Sequence, residues 1–172
     1  RKIVLDAVGD RASIIAGVGT FNTEHTLELA GTAAKVGAHG LLVVTPYYSK
    51  PPQAGIAEHF RRIADATDVP VMLYDIPGRA AVAIATDTML RLAEHPRIVA
   101  VKDAKGDLAS SARVIAHTDL SYYSGDDAMT LPLLSVGAVG VVGTSTHFSA
   151  VGTKQLIEAY LAGDVATALR LH

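Results

Sequence analysis

The chain has 172 residues, of which 49% are hydrophobic and 19% are charged, with a formal net charge of -2 and no cysteine. This composition is typical of a folded globular domain with a substantial core and does not favour disorder. The weakly acidic balance supplies no basic field for nucleic acid or for an anionic membrane surface, and the lack of cysteine excludes disulfides and thiolate metal sites. No apolar run approaches the roughly 20 residues of a membrane span, so we expect a cytoplasmic protein.

The first segment, residues 1–10, predicts a helix, because Ile3, Val4, Ala7 and Val8 lie on one helical stripe. The segment has no initiator methionine. We therefore expect that sequence upstream of it is missing.

Short, nearly continuous apolar runs then alternate with longer stretches of helical spacing, a pattern typical of buried parallel strands and their covering helices. The predicted strands are Ser13–Val18, Gly40–Thr45, Pro70–Tyr74, Ile98–Asp103, Leu120–Ser124 and Gly140–Thr144. The predicted helices are Thr23–Val36, Gln53–Thr67, Asp87–Ala93, Asp107–His117, Asp127–Val136, Thr153–Ala162 and Val165–Leu171. The alternation predicts an α/β fold with a parallel sheet, either doubly wound or closed into a barrel.

Chain length favours the barrel. A complete (β/α)8 TIM barrel has eight strands and typically ~250 residues. We therefore predict a TIM-barrel fragment that lacks about the first two βα units and most of the C-terminal helical region. Residues 1–162 would form the partial barrel, about strands 3 to 8, and residues 163–172 would begin the C-terminal helical region. Gly17 and Gly19 do not support a dinucleotide fingerprint, because no third glycine follows, and they predict a tight turn.

Lys102 closes an apolar strand, and alternation along that strand puts it on the same side as the small Ala100. In a parallel barrel the active site lies at the carboxyl ends of the strands. An amine facing the interior there is partly desolvated, which lowers its pKa toward the range in which it attacks carbonyl groups. The residues thus indicate a Schiff-base nucleophile. A lysine at a strand end, taken by itself, is more often simply solvated.

Two further residues with useful chemistry follow another strand. Tyr74 ends the apolar run 71–73, where its phenol would either relay protons to an imine or pack in the core with one hydrogen bond. Arg79 follows an Ile-Pro-Gly turn, where its guanidinium would either capture a substrate carboxylate or remain solvated. Both interpretations stay open on the residues alone.

Tyr47 and Tyr48 lie in a loop stiffened by prolines, which predicts an interface, a substrate lid or a turn that covers the edge of the core. Asp126 and Asp127 precede a predicted helix and are interpreted as N-capping residues. None of the seven histidines forms the i, i+4 pair of a zinc site, so we predict no metal.

The strings TPYYSKPPQAGI, YDIPGR, AVKDAKGDL and YYSGDDA, in this order, resemble the motifs of the dihydrodipicolinate synthase family. This family belongs to the pyruvate-dependent class I aldolases, which include N-acetylneuraminate lyase, and the resemblance covers essentially the whole chain. It implies a TIM-barrel lyase that condenses pyruvate with L-aspartate 4-semialdehyde to give 4-hydroxy-tetrahydrodipicolinate, in diaminopimelate and lysine biosynthesis. It also implies a covalent imine with pyruvate in place of any cofactor, and a homotetramer built as a dimer of dimers.

The same resemblance implies catalytic roles for three residues. Lys102 matches the Schiff-base lysine and Tyr74 the proton-relay tyrosine. Tyr48 matches a tyrosine that enters the site of a neighbouring subunit and completes a proton relay, so Tyr47 and Tyr48 are expected at an interface.

Substrate-binding residues are implied in the same way. Arg79 matches the arginine that binds the carboxylate of the semialdehyde, and it is the residue that separates the synthases from the sugar-acid lyases. Gly125 and Val142 fall where backbone groups line the pyruvate pocket.

Some positions depart from the family pattern. The threonine pair of the relay belongs to an upstream strand that the chain lacks, so we expect the chain alone to be inactive. Asp75 and Lys105 stand where the family frequently has asparagine and threonine. Phe21 and His25 stand where lysine-inhibited members carry asparagine and glutamate, which does not favour feedback inhibition by lysine, although Tyr47 matches a residue of that site.

Two alternatives remain at this stage. Another class I pyruvate aldolase, such as a 2-keto-3-deoxy sugar acid lyase or N-acetylneuraminate lyase, would use Lys102 and Tyr74 equally well, and Arg79 is the residue that argues against it. A non-catalytic α/β fragment is the second alternative. An open sheet of this kind would expose unpaired edges and an apolar interior unless a partner covered them.

Overall fold

The structure is a computed structural model that describes residues 2–172. Its described residues form one six-stranded parallel sheet in which the strands follow one another in chain order. The strands are β1 (Ile15–Gly17), β2 (Gly40–Val44), β3 (Val71–Asp75), β4 (Ile98–Asp103), β5 (Ser121–Ser124) and β6 (Gly140–Val141). This order confirms the predicted α/β class, because each strand returns to its neighbour through at least one helix.

The described residues also form nine α-helices. They are α1 (Lys2–Val8), α2 (Thr23–Lys35), α3 (Gln53–Asp65), α4 (Pro77–Ala80), α5 (Thr86–Leu92), α6 (Leu108–His117), α7 (Thr130–Leu134), α8 (Thr146–Leu161) and α9 (Val165–Leu171). A short 3-10 helix, Asp127–Met129, precedes α7. Within residues 2–172, no helix has both the length and the apolar character needed to cross a membrane.

The two faces of the sheet differ in burial because successive strand residues point to opposite sides. On the face covered by helices, the apolar side chains Leu41, Val43, Leu73 and Val101 are fully buried and form the centre of the core. On the concave face, alternate residues such as Tyr74 and Lys102 are only half-buried. The concave face is therefore the side on which chemistry is accessible.

Local interactions fix the ends of several elements. Asn22 and Asp107 cap α2 and α6 by accepting hydrogen bonds from the backbone N–H groups of His25, at 2.9 Å, and Ser110, at 3.0 Å. Gly19 follows β1 where the chain passes close to β2. A Cβ atom at Gly19 would lie 2.4 Å from the nitrogen of Val44, so only glycine fits.

His59 shows how polar groups are accommodated between α2 and α3. Its Nδ1 lies 2.8 Å from the hydroxyl of Thr23. Burial, aided by the charge of Arg62, lowers the pKa of His59 to about 4, so the ring is neutral near pH 7. It serves as a packing residue with one hydrogen bond to the adjacent helix.

The predicted elements agree with the structure where the apolar pattern is strong and differ where it is weak. The strand at Ile98–Asp103 and the helix at Val165–Leu171 are confirmed at both ends. The predicted helix Asp127–Val136 is divided into a 3-10 turn and α7, because Asp126 caps the turn through Ala128. The predicted strand Gly140–Thr144 is shorter, and α8 begins at Thr146 and not at Thr153.

The predicted helix of residues 1–10 is present as α1, while Arg1 lies outside the described residues. The helix α4 was not predicted from the sequence. It begins with Pro77 at its first position, which suits a fixed φ, and ends at Ala81 in the left-handed conformation, with φ of 65°. Together these residues place Arg79 on a defined turn of helix beside the end of β3.

Candidate active site

Cross-strand register brings the two principal candidates together. Tyr74 on β3 pairs with Lys102 on β4, and Lys102 pairs in turn with Tyr123 on β5. Because register partners in a parallel sheet point to the same side, the three side chains share the concave face. They lie close to the carboxyl ends of the strands, which is where parallel barrels place their active sites.

A cavity of about 600 Å³ opens over this part of the sheet. It is lined by residues from four strand ends and the loops that follow them: Tyr74, Ile76, Gly78, Arg79, Lys102, Ala104, Gly125, Asp126, Asp127 and Thr144. A smaller, more apolar cavity adjoins it, and Tyr74, Ile76 and Arg79 contribute to both. The site thus combines an amine, a phenol and a guanidinium in one concave region.

Lys102 is half-buried in this cavity, and its Nζ lies 4.2 Å from the centre of the Tyr74 ring. Burial lowers the pKa of the Lys102 ammonium below its ordinary value. The neutral amine, which is the nucleophilic form, is therefore more populated here than on a solvated lysine.

Gly125 provides the space that the Lys102 side chain occupies. A Cβ atom at Gly125 would lie 3.0 Å from both Cγ and Cε of Lys102 and 3.1 Å from Cβ of Ala104. The backbone N–H of Gly125 donates to the carbonyl oxygen of Asp103, at 2.7 Å, so this strand end cannot easily move away. A side chain here would require the Lys102 side chain to shift by a few tenths of an ångström.

We therefore expect Gly125→Ala to slow reactions of the Lys102 amine by about tenfold or more, since small misplacements of reacting groups have large kinetic costs. Overpacking should also lower the free energy of unfolding by about 1–3 kcal/mol. The rate of carbonyl adduct formation at Lys102 measures the effect. Gly152→Ala on α8 is the matched control, because a Cβ atom there meets nothing within 4 Å. Equal rates in the two variants would contradict the crowding argument.

Tyr74 and Arg79 interact electrostatically. Burial raises the pKa of the Tyr74 phenol, and the nearby charge of Arg79 partly offsets that rise. The phenol is thus protonated near neutral pH and available as a proton donor. Arg79 is exposed and reaches both cavities from α4, so its guanidinium is free to meet an anionic group.

The structure separates the two tyrosines of the proline-rich loop. Tyr47 packs edge-on against Phe21, with ring centroids 5.6 Å apart, and contributes to the smaller cavity. Tyr48 is 90% exposed, adopts a φ of 70°, and donates its backbone N–H to the carbonyl oxygen of Ala80 at 3.3 Å. A positive φ is uncommon for a tyrosine, and most of this side chain is accessible to solvent.

Three further residues that were singled out in the sequence lie in the segments that follow β5 and β6. The side chain of Asp126 caps the 3-10 turn, as predicted, and Asp127 Oδ1 accepts a hydrogen bond from Ser145 at 2.6 Å. Both aspartates also line the larger cavity. Val142 follows β6 and donates its backbone N–H to Ser124 at 2.8 Å, so that N–H is already engaged in the sheet.

A buried charged cluster behind the site was missed in the sequence. Asp75 and Asp103 directly follow Tyr74 and Lys102, and each is at most 3% exposed on the opposite face of the sheet. Lys105 lies 3.6 Å from Asp75. The cluster could have been predicted from the alternation of side chains along a strand. A charged residue next to a cavity-facing residue points to the core, where it needs a partner.

Known proteins resemble this chain along nearly its whole length. The family model described as the dihydrodipicolinate synthetase family matches residues 1–172. The 4-hydroxy-tetrahydrodipicolinate synthase of Acidothermus cellulolyticus is 68% identical over 171 residues, covering 99% of this chain and 56% of that protein. The synthase of Cutibacterium acnes is 62% identical over 168 residues, with coverage of 98% and 57%.

Solved structures show the same fold. The DHDPS of Cyanidioschyzon merolae, solved with lysine bound, superposes with a TM-score of 0.97 and 45% identity, covering 99% of this chain and 59% of that one. DapA-2 of Bacillus anthracis gives a TM-score of 0.96 and 42% identity, also with 99% and 59% coverage. The chain thus spans a little over half the length of its relatives. From the match along its whole length, the chain belongs to the dihydrodipicolinate synthetase family.

Proposed function

We propose that the protein containing this chain is a lyase that condenses pyruvate with L-aspartate 4-semialdehyde to give 4-hydroxy-tetrahydrodipicolinate, in diaminopimelate and lysine biosynthesis. The observation that carries the proposal is the half-buried amine of Lys102, with a lowered pKa, 4.2 Å from the Tyr74 ring in a cavity that also contains Arg79. Family relatives at 54–68% identity bear the name of this synthase.

The Lys102 amine would begin the reaction by attacking the keto carbon of pyruvate, and loss of water leaves an imine. The imine withdraws electrons, so a methyl proton is lost and an enamine forms. The enamine carbon then attacks the aldehyde carbon of the semialdehyde and creates the new C–C bond. The substrate amine finally attacks the imine carbon, closes the ring and releases the Lys102 amine. These steps balance without a redox cofactor.

The other residues would move protons and hold substrates. The Tyr74 phenol, kept protonated by its raised pKa, is placed to exchange protons as the imine forms. Arg79 would bind the carboxylate of the semialdehyde, and backbone groups at Gly125 and Val142 would line the pyruvate end. Tyr48 would act in trans, because it is 90% exposed and does not line either cavity of its own chain.

Assembly and location follow from the same proposal. Tyr47 and Tyr48 would form part of an interface within a cytoplasmic homotetramer arranged as a dimer of dimers. The six strands would correspond to about strands 3 to 8 of an eight-stranded barrel, with residues 163–172 beginning a C-terminal helical region. Coverage of 56% and 59% of two longer relatives supports the proposal of a partial barrel.

A related pyruvate aldolase that cleaves a keto-deoxy sugar acid is the second candidate. The pairing of Lys102 with Tyr74 suits that reaction as well, because both reactions pass through a pyruvyl imine. Arg79 at the cavity favours the synthase, since a second substrate with its own carboxylate needs a cationic partner. Product analysis with each pair of substrates separates the two.

The central test is chemical trapping. A full-length protein that contains these 172 residues is incubated with pyruvate, reduced with borohydride and digested for mass spectrometry. We expect one pyruvyl adduct on Lys102, because burial lowers the pKa of this amine and so favours its nucleophilic, neutral form over that of exposed lysines. Absence of the adduct, or its appearance on exposed Lys154 at an equal rate, would reject imine chemistry at this site.

A further inference from the structure

The charged cluster behind the active site is built from two adjacent strands and the turn that follows β4. Asp75 is 1% exposed and Asp103 is 3% exposed, while the Lys105 side chain is 15% exposed. Charges this deeply buried are costly unless they are paired and hydrogen-bonded. Their location directly behind Tyr74 and Lys102 calls for an explanation.

Asp75 is held from two sides. Its Oδ1 accepts a hydrogen bond from the backbone N–H of Ile84 at 3.2 Å. Its Oδ2 has no hydrogen-bond partner and lies 3.6 Å from Nζ of Lys105, so this contact is ionic. The carboxylate thereby connects β3 with the segment before α5 and with the β4–α6 turn.

Lys105 is held on the side of β4 and α6. Its backbone N–H donates to Oδ1 of Asp103 at 2.9 Å, and its Nζ donates to the hydroxyl of Ser110 at 3.1 Å. The other oxygen of Asp103 accepts a hydrogen bond from Ser111 at 2.5 Å. The turn after β4 is thus fixed to α6 by hydrogen bonds that involve one charged group each, and to β3 by the ion pair and by a backbone hydrogen bond from Ala104 to Asp75.

These contacts can affect the active site because a reacting residue immediately precedes each buried aspartate along its strand. Tyr74 precedes Asp75, Lys102 precedes Asp103, and Ala104 donates its N–H to the carbonyl oxygen of Asp75 at 2.8 Å. The separation of the Lys102 amine from the Tyr74 ring therefore depends on how the ends of β3 and β4 are held together. A shift of the turn would be transmitted to both side chains.

We infer that Asp75 and Lys105 act as one positioning pair, in which each charge must be matched by the other for the ends of β3 and β4 to hold Lys102 against Tyr74. The inference rests on the proposed function, since its readout is the imine reaction. Neither residue touches the substrate cavity, so both act through the strands that carry the reacting groups.

The pair also makes the site sensitive to acid. Burial raises the pKa of Asp75 to about 6, and the charge of Lys105 and the Ile84 N–H oppose that rise, while Asp103 adds to it. From β5, Tyr122 faces the same carboxylates, and its pKa is raised by burial and by both of them, so it remains neutral. Below about pH 6 Asp75 gains a proton and the ion pair is lost. Activity is therefore expected to fall as the pH drops through the pKa of Asp75, because Asp75 must be ionised to pair with Lys105.

The test is a double-mutant cycle in a full-length protein that contains these residues. At pH 8 we expect Asp75→Asn and Lys105→Met each to lower kcat by about tenfold or more, because each leaves one buried charge unpaired beside the site. The double variant should recover to within about threefold of the parent, since no unpaired charge remains. Lys105→Arg, which keeps the charge, should also stay within about threefold.

The pH profile of kcat separates positioning from mere stability. The parent should lose activity below about pH 6, because protonation of Asp75 leaves the Lys105 charge unpaired. Lys105→Met should instead gain activity as the pH falls, because the proton removes its unpaired charge on Asp75. The double variant should show neither change. All rates are measured below the unfolding temperature of each variant. Asp87→Asn, which removes an exposed pair with Arg113 at 3.7 Å, is the control and should leave kcat and its pH profile unchanged.

Each outcome decides the inference. The inference is overturned if the losses of kcat in the two single variants simply multiply in the double variant. It is also overturned if Lys105→Met still loses activity at low pH as the parent does. If a single variant fails to fold, the double variant and Lys105→Arg decide, and a double variant that retains the acid limb overturns it. A parent that forms no pyruvyl adduct on Lys102 rejects the proposed function instead, so the two failures are distinct.

Discussion

Lys102→Met in the full-length protein is expected to lower kcat by at least about a thousandfold, because it removes the nucleophile while keeping the length of the side chain. The half-buried amine beside Tyr74 has no substitute at the cavity, since Lys105 faces the opposite side of the sheet and is paired with Asp75. Steady-state turnover and borohydride trapping should both disappear. Stability should change little or rise, because a partly buried charge is replaced by an apolar chain.

The matched control for this variant is Lys154→Met. Lys154 is an exposed lysine on α8, 3.5 Å from Glu158 and outside the larger cavity. Exposed pairs of this kind contribute at most about 1 kcal/mol, so activity should stay at the parent level. Turnover in Lys102→Met above about a tenth of the parent rate would be incompatible with a covalent role for this lysine.

Arg79→Ala is expected to lower kcat/KM for the semialdehyde by about 10- to 100-fold, which corresponds to losing one charge-assisted hydrogen-bonded contact. The effect should appear mainly as a rise in the KM for the semialdehyde, together with a fall in kcat. Pyruvate trapping on Lys102 should remain largely intact, because Arg79 approaches the cavity from α4 and not from β4. Separate titrations of the two substrates measure these effects.

Loss of Arg79 also removes a charge that lowers the pKa of Tyr74. The phenol in Arg79→Ala should therefore titrate at higher pH, and any basic limb of the pH profile that reports Tyr74 should move in that direction. Arg113→Ala on α6 is the control, because Arg113 is exposed and lies away from the cavity. If trapping and semialdehyde binding fell equally in Arg79→Ala, the assigned role would be wrong.

Much of the fold could be predicted because its strands are short apolar runs whose burial is decided locally. The run Ile98–Asp103 has the same bounds in the sequence prediction and in the structure. The helix α4 could not be predicted, since four residues give too little periodicity. β6 ends earlier than predicted, at Val141, and Gly143 after it lies close to Asp127 of the 3-10 helix. A Cβ atom at Gly143 would lie 2.9 Å from Oδ1 of that aspartate.

The site shows the same division. The sequence alone determined which chemical groups follow the strands, and alternation determined that Lys102 and Asp103 face opposite sides. Only the tertiary structure decided that Lys102 lies beside Tyr74, and that Asp75 meets Lys105 from the next strand's turn. Strand register and turn packing arise from contacts between segments that are far apart in the sequence, so the pattern within one segment does not determine them by itself.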